Sequence, residues 1–387
     1  MQQANLREQK GEEIARQVGW VRRIDQHSYK VHSQSGDFEY DVMSGELGWL
    51  CSCPDAMYRG TKCKHIIAVE LSFILRKIVG REPIIIQPIN ISECRFCHSH
   101  NLKKFGVRHN QSGNIQRFIC GDCHRTFSLN LGFEKMKATP ETVTMAMQMY
   151  FSGMSFEFTA KALKLKGVKI SNVGVYKWVK KYVGMMEKYV DQITPQVGDT
   201  WRTDEMYVKI RGNMNYLFGM MDDETRFRIA QQVAPHKGTS DVRPMFKAAM
   251  EKADKKPKVL ISDGANNFHE AWRKEMWSEY GEEVSPQHIR EIRMEGKVHN
   301  NKMERQNGEW RDREKVMRSL KKQDSPVIAG MQIFHNFVRP HMGLKGKTPA
   351  EAAGIQVGGE NKWLTIIQNA SMKQNSFRVN EHSTTLI

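Results

Sequence analysis

Seven cysteines, at positions 51, 53, 63, 94, 97, 120 and 123, constrain this chain more than any other feature. Their number is odd and the start of the chain is polar, with no apolar leader core, so a disulfide framework of an exported domain is not expected. The spacing reads as metal ligation. Cys94-Arg95-Phe96-Cys97 and Cys120-Gly121-Asp122-Cys123 are two CxxC pairs separated by 22 residues. Each pair suits a tight turn with both thiolates facing one tetrahedral zinc ion. Turn-forming residues at 111–114 make the intervening stretch a hairpin. The remaining three cysteines join a histidine: Cys51-Ser52-Cys53, nine residues, then Cys63-Lys64-His65. Both sets supply four protein ligands and leave no open position for chemistry, so two structural zinc sites are expected.

Upstream of Cys51, residues 20–24, 29–32 and 38–42 read as short strands, and His65 opens an apolar-rich helix to about residue 77. Strands, CxC…CxH and helix together resemble the SWIM-type zinc finger. The double CxxC hairpin resembles a zinc ribbon. Residues 1–82 are therefore expected as a SWIM-type module and 93–130 as a ribbon. The SWIM-like module is close to neutral, and its role stays open between extra DNA contact and protein pairing.

No apolar run is long enough to span a bilayer; the best, residues 66–75, is short and interrupted by Glu70. A soluble protein of the cytoplasm is expected. The formal charge is +16, which speaks of polyanionic partners rather than of fold. It is concentrated: residues 93–195 carry 16 basic and 7 acidic side chains, against 12 and 11 in residues 1–92. Within this basic stretch, Thr139-Pro140 opens a helix to residue 151, residues 155–166 form a second, and Ser171-Asn172 caps a third to about residue 189. In the third, Val175, Trp178, Val179, Tyr182 and Met186 recur at helical spacing, with Lys177, Lys180 and Lys181 beside them. Such a unit, residues 138–192, suits a helix-turn-helix with lysines on phosphates. It suits equally an ordinary helical bundle with lysines in water.

Residues 199–233 then alternate as three strands. In the first, Asp204 shares a face with Met206, Val208 and Ile210, where an unpaired carboxylate is costly unless it is matched or binds metal. Glu205 points the other way and is the weaker candidate. Residues 257–264 form another apolar strand ending at Asp263-Gly264, ahead of a helix over 266–277. In residues 299–322, Met303, Trp310, Met317 and Leu320 mark a core face, and Glu304, Arg311 and Arg318 an adjoining stripe. Each acid alone is equally readable as a cap, a turn or a salt-bridged surface group.

Together these segments are specific. TDEMY around Asp204, ISDG ending at Asp263, HNNKMERQNGEWR around Glu304 and the run IFHNFVRPHMGLKGKTPAEAAGI resemble the D-D-E transposases of insertion sequences. The resemblance implies a multidomain α+β chain whose residues 197–355 form an RNase H-like core, with a mixed five-stranded sheet flanked by helices. It implies catalytic Asp204, Asp263 and Glu304 holding two Mg²⁺ or Mn²⁺ ions, hard cations suited to carboxylate oxygens. Double-stranded DNA, as element ends and target, is the implied partner, with a homodimer or larger assembly holding both ends. Arg305, Arg311 and Arg313 are candidates for backbone contact. The same residues also fit a non-catalytic zinc-dependent DNA-binding regulator, or a Mg²⁺-dependent nuclease with the same core. Residues 356–387 carry no motif.

Overall fold

The computed structural model describes residues 2–17, 20–23, 28–36, 38–45, 48–60, 62–79, 82–89, 92–110, 113–128, 131–277, 285–291, 300–317 and 320–383. The chain divides into two units, Met1–Pro83 and Ile84–Ile387.

The first unit begins with helix α1 (Gln2–Arg16), which sequence patterning does not announce. An antiparallel sheet follows, β1 (Val21–Arg23), β2 (Ser28–His32), β3 (Glu39–Gly45) and β4 (Gly48–Cys51), in that spatial order. The fourth strand is unforeseen. Helices α2 (Pro54–Arg59) and α3 (Lys64–Val79) complete the unit. Tyr29, Val31 and Val42 alternate inward from the sheet onto Ile66, Ala68 and Val69 of α3. Gly11 lets α1 approach α3: a Cβ there would meet Ile67 at 2.7 Å.

The second unit opens with β5 (Ile84–Ile86), followed by the three-stranded sheet β6 (Leu102–Asn110), β7 (Gly113–Cys120) and β8 (Thr126–Ser128). Three helices succeed it: α4 (Pro140–Phe151), α5 (Phe156–Leu165) and α6 (Asn172–Val190). Each starts where the sequence offers a hydroxyl cap: Thr139, Ser155 and Ser171 accept from Thr142 N, Phe158 N and Gly174 N.

The central sheet is mixed and five-stranded. Its strands are β9 (Thr200–Ile210), β10 (Asn213–Asp222), β11 (Arg228–Ala234), β12 (Val259–Asp263) and β13 (Gln287–Glu291), in the order β11-β10-β9-β12-β13. β9, β10 and β11 form an antiparallel meander, while β12 pairs parallel with both β9 and β13. This is the mixed sheet of an RNase H-like core. Helices α7 (Thr239–Ala253) and α8 (Asn266–Glu275) pack together, and α7 covers β10 and β11. Phe218 of β10 and Phe268 of α8 are fully buried and meet edge to face. Burial of each such ring contributes about 2–3 kcal/mol.

Helix α9 (Asn301–Met317) lies along β9, burying Met303 and Trp310. Leu320, expected on the same helical face, is buried beyond the helix end in a bridge to Ile210, and Arg318 lies outside the described residues. Helix α10 (Pro326–Ile333) runs into a π-helical turn at Phe334–Val338 and packs on α6. A 3-10 turn (Met342–Leu344), α11 (Pro349–Ala352), β14 (Ile355–Val357) and α12 (Lys362–Ser383) finish the chain. Val357, Trp363, Ile366 and Ile367, from a stretch motif-free in sequence, are part of this core. β14 pairs parallel with β5, and Trp363 of α12 stacks on Phe151 and Phe334.

Candidate active site and zinc centres

Cys51 ends β4, Cys53 caps α2 by accepting from Ala56 N, and Cys63 and His65 straddle the start of α3. All four are buried, with one donor atom from each lying within 4.8 Å of the others. His65 Nδ1 is 3.9 Å from Cys51 Sγ and 4.0 Å from Cys63 Sγ. Ligands about 2.3 Å from a tetrahedral zinc stand about 3.8 Å apart, so the set has the right size. Its protonation has the right character too. Hydrogen bonding from the Cys51 thiol, with help from His65, brings Cys63 down to about 4. The Cys63 thiolate in turn drives Cys51 up. A divalent ion resolves that conflict by letting every thiol ionise.

The four-cysteine set is built from two matching turns. His98 N donates to Cys94 O and His124 N to Cys120 O, and both histidines take left-handed backbone, at φ 57° and 55°. Cys94 Sγ and Cys123 Sγ are 3.6 Å apart, Cys97 Sγ and Cys120 Sγ 3.5 Å. Backbone N–H groups of Cys123 and Asp122, with the Cys97 thiol, bring Cys120 to about 6. Both clusters therefore have the composition and spacing of zinc sites, and neither leaves a vacant ligand position.

The acids converge through sheet register. β9 and β12 pair as Thr200↔Val259, Trp201↔Leu260 and Arg202↔Ile261. Continued two residues further, that register sets Asp204 beside Asp263. Pairing stops at Arg202, so no further rung of β12 lies alongside Glu205. Carboxylate oxygens of Asp204, Glu205 and Asp263 lie within 4.8 Å of one another. This corrects the expectation from strict alternation that Glu205 faces away. Glu304 stands outside this tight group, exposed in the first turn of α9, but near enough for its charge to act on Asp204.

Burial first, and then the charges of Asp263 and Glu304, push the Asp204 carboxyl up to about 6. Burial, Asp263 and Asp204 push Glu205 up to about 7, with Lys237 opposing. Asp204 Oδ2 accepts from Asn307 Nδ2 at 2.8 Å, and Oδ1 from Glu205 N at 2.9 Å. Asp263 Oδ1 accepts from Ala265 N. Glu205 Oε2 is buried with no hydrogen-bond partner. Crowded oxygen donors, with Asp204 and Glu205 both raised in proton affinity, fit Mg²⁺ or Mn²⁺, which supply the missing positive charge. Asn307 escaped sequence reading, although it lies three residues beyond Glu304 and so on the same side of the helix.

The basic candidates divide. Lys177, Lys180 and Lys181 of α6 are exposed, as are Arg305 and Arg311 of α9. Arg313 is not. It is 4% exposed, donates to Met154 O at 3.0 Å and lies 4.0 Å over the Tyr150 ring. Its expected contact with DNA is withdrawn, because the guanidinium joins α9 to the helical unit instead. Among the described residues no helix is long and apolar enough to cross a membrane.

Fold and site together define a multidomain α+β protein with zinc-binding Cys/His clusters and an RNase H-like core that carries a carboxylate cluster. Comparison with known proteins finds similar segments for both the core and a zinc-binding cluster. The family model of the DDE domain matches residues 198–341, and that of the SWIM zinc finger residues 36–74. The transposase for insertion sequence element IS257 in transposon Tn4003 of Staphylococcus aureus is 27% identical over 93 residues, 24% of this chain and 42% of that protein. The transposase for insertion sequence-like element IS431mec of Staphylococcus aureus N315 matches to the same extent. The chain thus spans about two fifths of the length of these curated relatives. The HTLV-2 integrase catalytic core domain in complex with magnesium aligns at TM-score 0.32 and 13% identity, over 42% of this chain and 98% of that one. The chain thus carries one segment similar to the DDE domain and one similar to the SWIM zinc finger, the former on an RNase H-like fold.

Proposed function

We propose that this protein is an insertion-sequence transposase of the prokaryotic cytoplasm, binding element ends and catalysing metal-dependent DNA strand cleavage and strand transfer. The observation that carries the reading is the β9–β12 register, which sets Asp204 beside Asp263, with α9 bringing Asn307 onto Asp204 and Glu304 into its field. Asp204, Asp263 and Glu304 are the catalytic acids in this reading, and Glu205 is an added oxygen donor. Two Mg²⁺ or Mn²⁺ ions held there would supply activation of the attacking hydroxyl and stabilisation of the departing 3′ oxygen. Asn307 fixes which oxygen of Asp204 faces the site, and burial excludes water from one side of it.

The double-CxxC module reads as a zinc ribbon and α4–α6 as a helix-turn-helix. Lys177, Lys180 and Lys181, with Arg305 and Arg311, are assigned to the phosphates of element ends and target. A homodimer or larger assembly follows from the need to act on two ends. The test is a cleavage and joining assay on the element's own terminal repeats with Mg²⁺ or Mn²⁺. Asp204→Asn and Glu304→Gln should abolish cleavage and spare end binding. Glu304's position outside the tight carboxylate group is what favours a second reading, a nuclease. Cleavage without joining of the 3′ end to a target would select it, and end binding by an unaltered chain that never cleaves would select a regulator.

A further inference from the structure

Behind the carboxylates lies a cation that none of the chemistry above uses. Arg228, the first residue of β11, is 0% exposed. Among the described residues no carboxylate lies within ion-pair distance of its guanidinium. Its Nη1 donates to Gln306 Oε1 at 2.7 Å, and its Cζ lies 4.4 Å over the Trp310 ring. Nε and Nη2 are buried without partners. The space it fills is kept open by Gly219, where a Cβ would meet Nη2 at 2.3 Å, and Gly219 is the residue opposite Asp204 across β9 and β10. The backbone of Arg228 is pinned in its turn: its N donates to Asn336 Oδ1, and its carbonyl accepts from Asn336 Nδ2 and Gln332 Nε2.

The side-chain hydrogen bond and the ring contact of Arg228 both fall on α9, two and six residues beyond Glu304. Gln306 adjoins Asn307, the donor to Asp204, and its amide lies 2.8 Å from His335 Nε2. A buried, unpaired guanidinium is a poor source of stability, since an apolar group of similar size would do as well or better. It is, however, a rigid planar donor that fixes a helix in rotation and height.

Resting on the metal-dependent reading above, we infer that Arg228 is a positioning residue: through Gln306 and Trp310 it sets the rotation of α9, and thereby the reach of Glu304 and Asn307 toward the ions held by Asp204 and Asp263. The contact acts on metal binding first and on turnover only through it.

The experiment counts Mn²⁺ bound to the zinc-loaded full chain by electron paramagnetic resonance. The variants are Arg228→Met, Arg228→Lys, Gln306→Leu and the Arg228→Met/Gln306→Leu double, each checked for its melting temperature without Mn²⁺. Arg228→Met and Gln306→Leu should each weaken Mn²⁺ binding about tenfold, while end binding is unchanged. The double variant should be no weaker than either single, because both break one link. Arg228→Lys, which keeps a donor for Gln306, should recover part of the loss. Wild-type Mn²⁺ affinity in Arg228→Met, or losses that multiply in the double variant, overturns the inference. No Mn²⁺ bound by the unaltered chain would instead refute the metal-dependent reading itself.

Discussion

Replacing Glu205 by Gln tests the electrostatics of the carboxylate group without touching the three acids of the D-D-E pattern. The Glu205 carboxyl, ordinarily near 4.5, stands at about 7 in the folded chain. At about 1.4 kcal/mol per tenfold in proton affinity this corresponds to ~3 kcal/mol. Screening at a half-buried group reduces it to ~1–2 kcal/mol. The sign follows from linkage. The folded state holds this proton more tightly than the unfolded state, so the stability it confers is complete below about pH 4.5 and is lost as pH rises through 7. At pH 8, without added divalent ions, the unaltered chain carries the full repulsion and Glu205→Gln does not. The variant should therefore melt higher, by roughly 3–6 °C in the transition of the core. At pH 4.5 the advantage should fall to less than half. Added Mn²⁺ should reverse the order, stabilising the unaltered chain more than the variant, because Gln is a poorer ligand. Differential scanning calorimetry at the two pH values, with and without Mn²⁺, measures all of this. A variant no more stable than the unaltered chain at pH 8, or one whose advantage is the same at both pH values, refutes the reasoning.

Asn307→Leu should leave Asp204 Oδ2 without its donor; a stability loss of ~1 kcal/mol in denaturant titration and at least about a tenfold drop in cleavage are expected. Metal analysis should find two zinc ions per chain, falling to one in Cys63→Ser and in Cys94→Ser, with Cys63→Ser making the first unit protease-sensitive and sparing the core. Lys177→Gln and Lys180→Gln should each weaken DNA binding on every sequence tested and lower the salt dependence of log K by about 0.9, read from binding titrations at several salt concentrations. Arg313→Lys should cost about 1–2 kcal/mol in thermal unfolding by disturbing the buried contacts to Met154 and Tyr150, with the salt dependence of DNA binding unchanged.

Much of this was legible before any coordinates. Close ligand pairs gave both zinc clusters, CxxC twice in one and CxC with CxH in the other, because one or two residues between ligands is the length of a tight turn. Hydroxyl caps at Thr139 and Ser171 announced α4 and α6, since capping is a local event. Alternation located β9, with Met206, Val208 and Ile210 buried as read. It failed at Glu205, because alternation says nothing about where a neighbouring strand ends. It failed at Arg313 for a related reason: an arginine between charged neighbours on an amphipathic helix reads as solvated, and only tertiary packing puts Tyr150 beneath it. Asn307 and Arg228 were invisible because their partners lie 103 and 78 residues away. Helix α1 carries little apolar patterning, and residues past 355 lack a motif although Trp363, Ile366 and Ile367 are buried.

The pairing of β9 with β12 makes the site sensitive to chain length in an uneven way. Both aspartates hang from one rung-by-rung alignment of two strands, so a single residue gained or lost ahead of Asp263 within β12 would swing its carboxylate to the far side of the sheet. The same insertion between β11 and α7 would be absorbed by the connection. Homologues and engineered variants should therefore differ freely in that connecting length and hold the two strands to a fixed count.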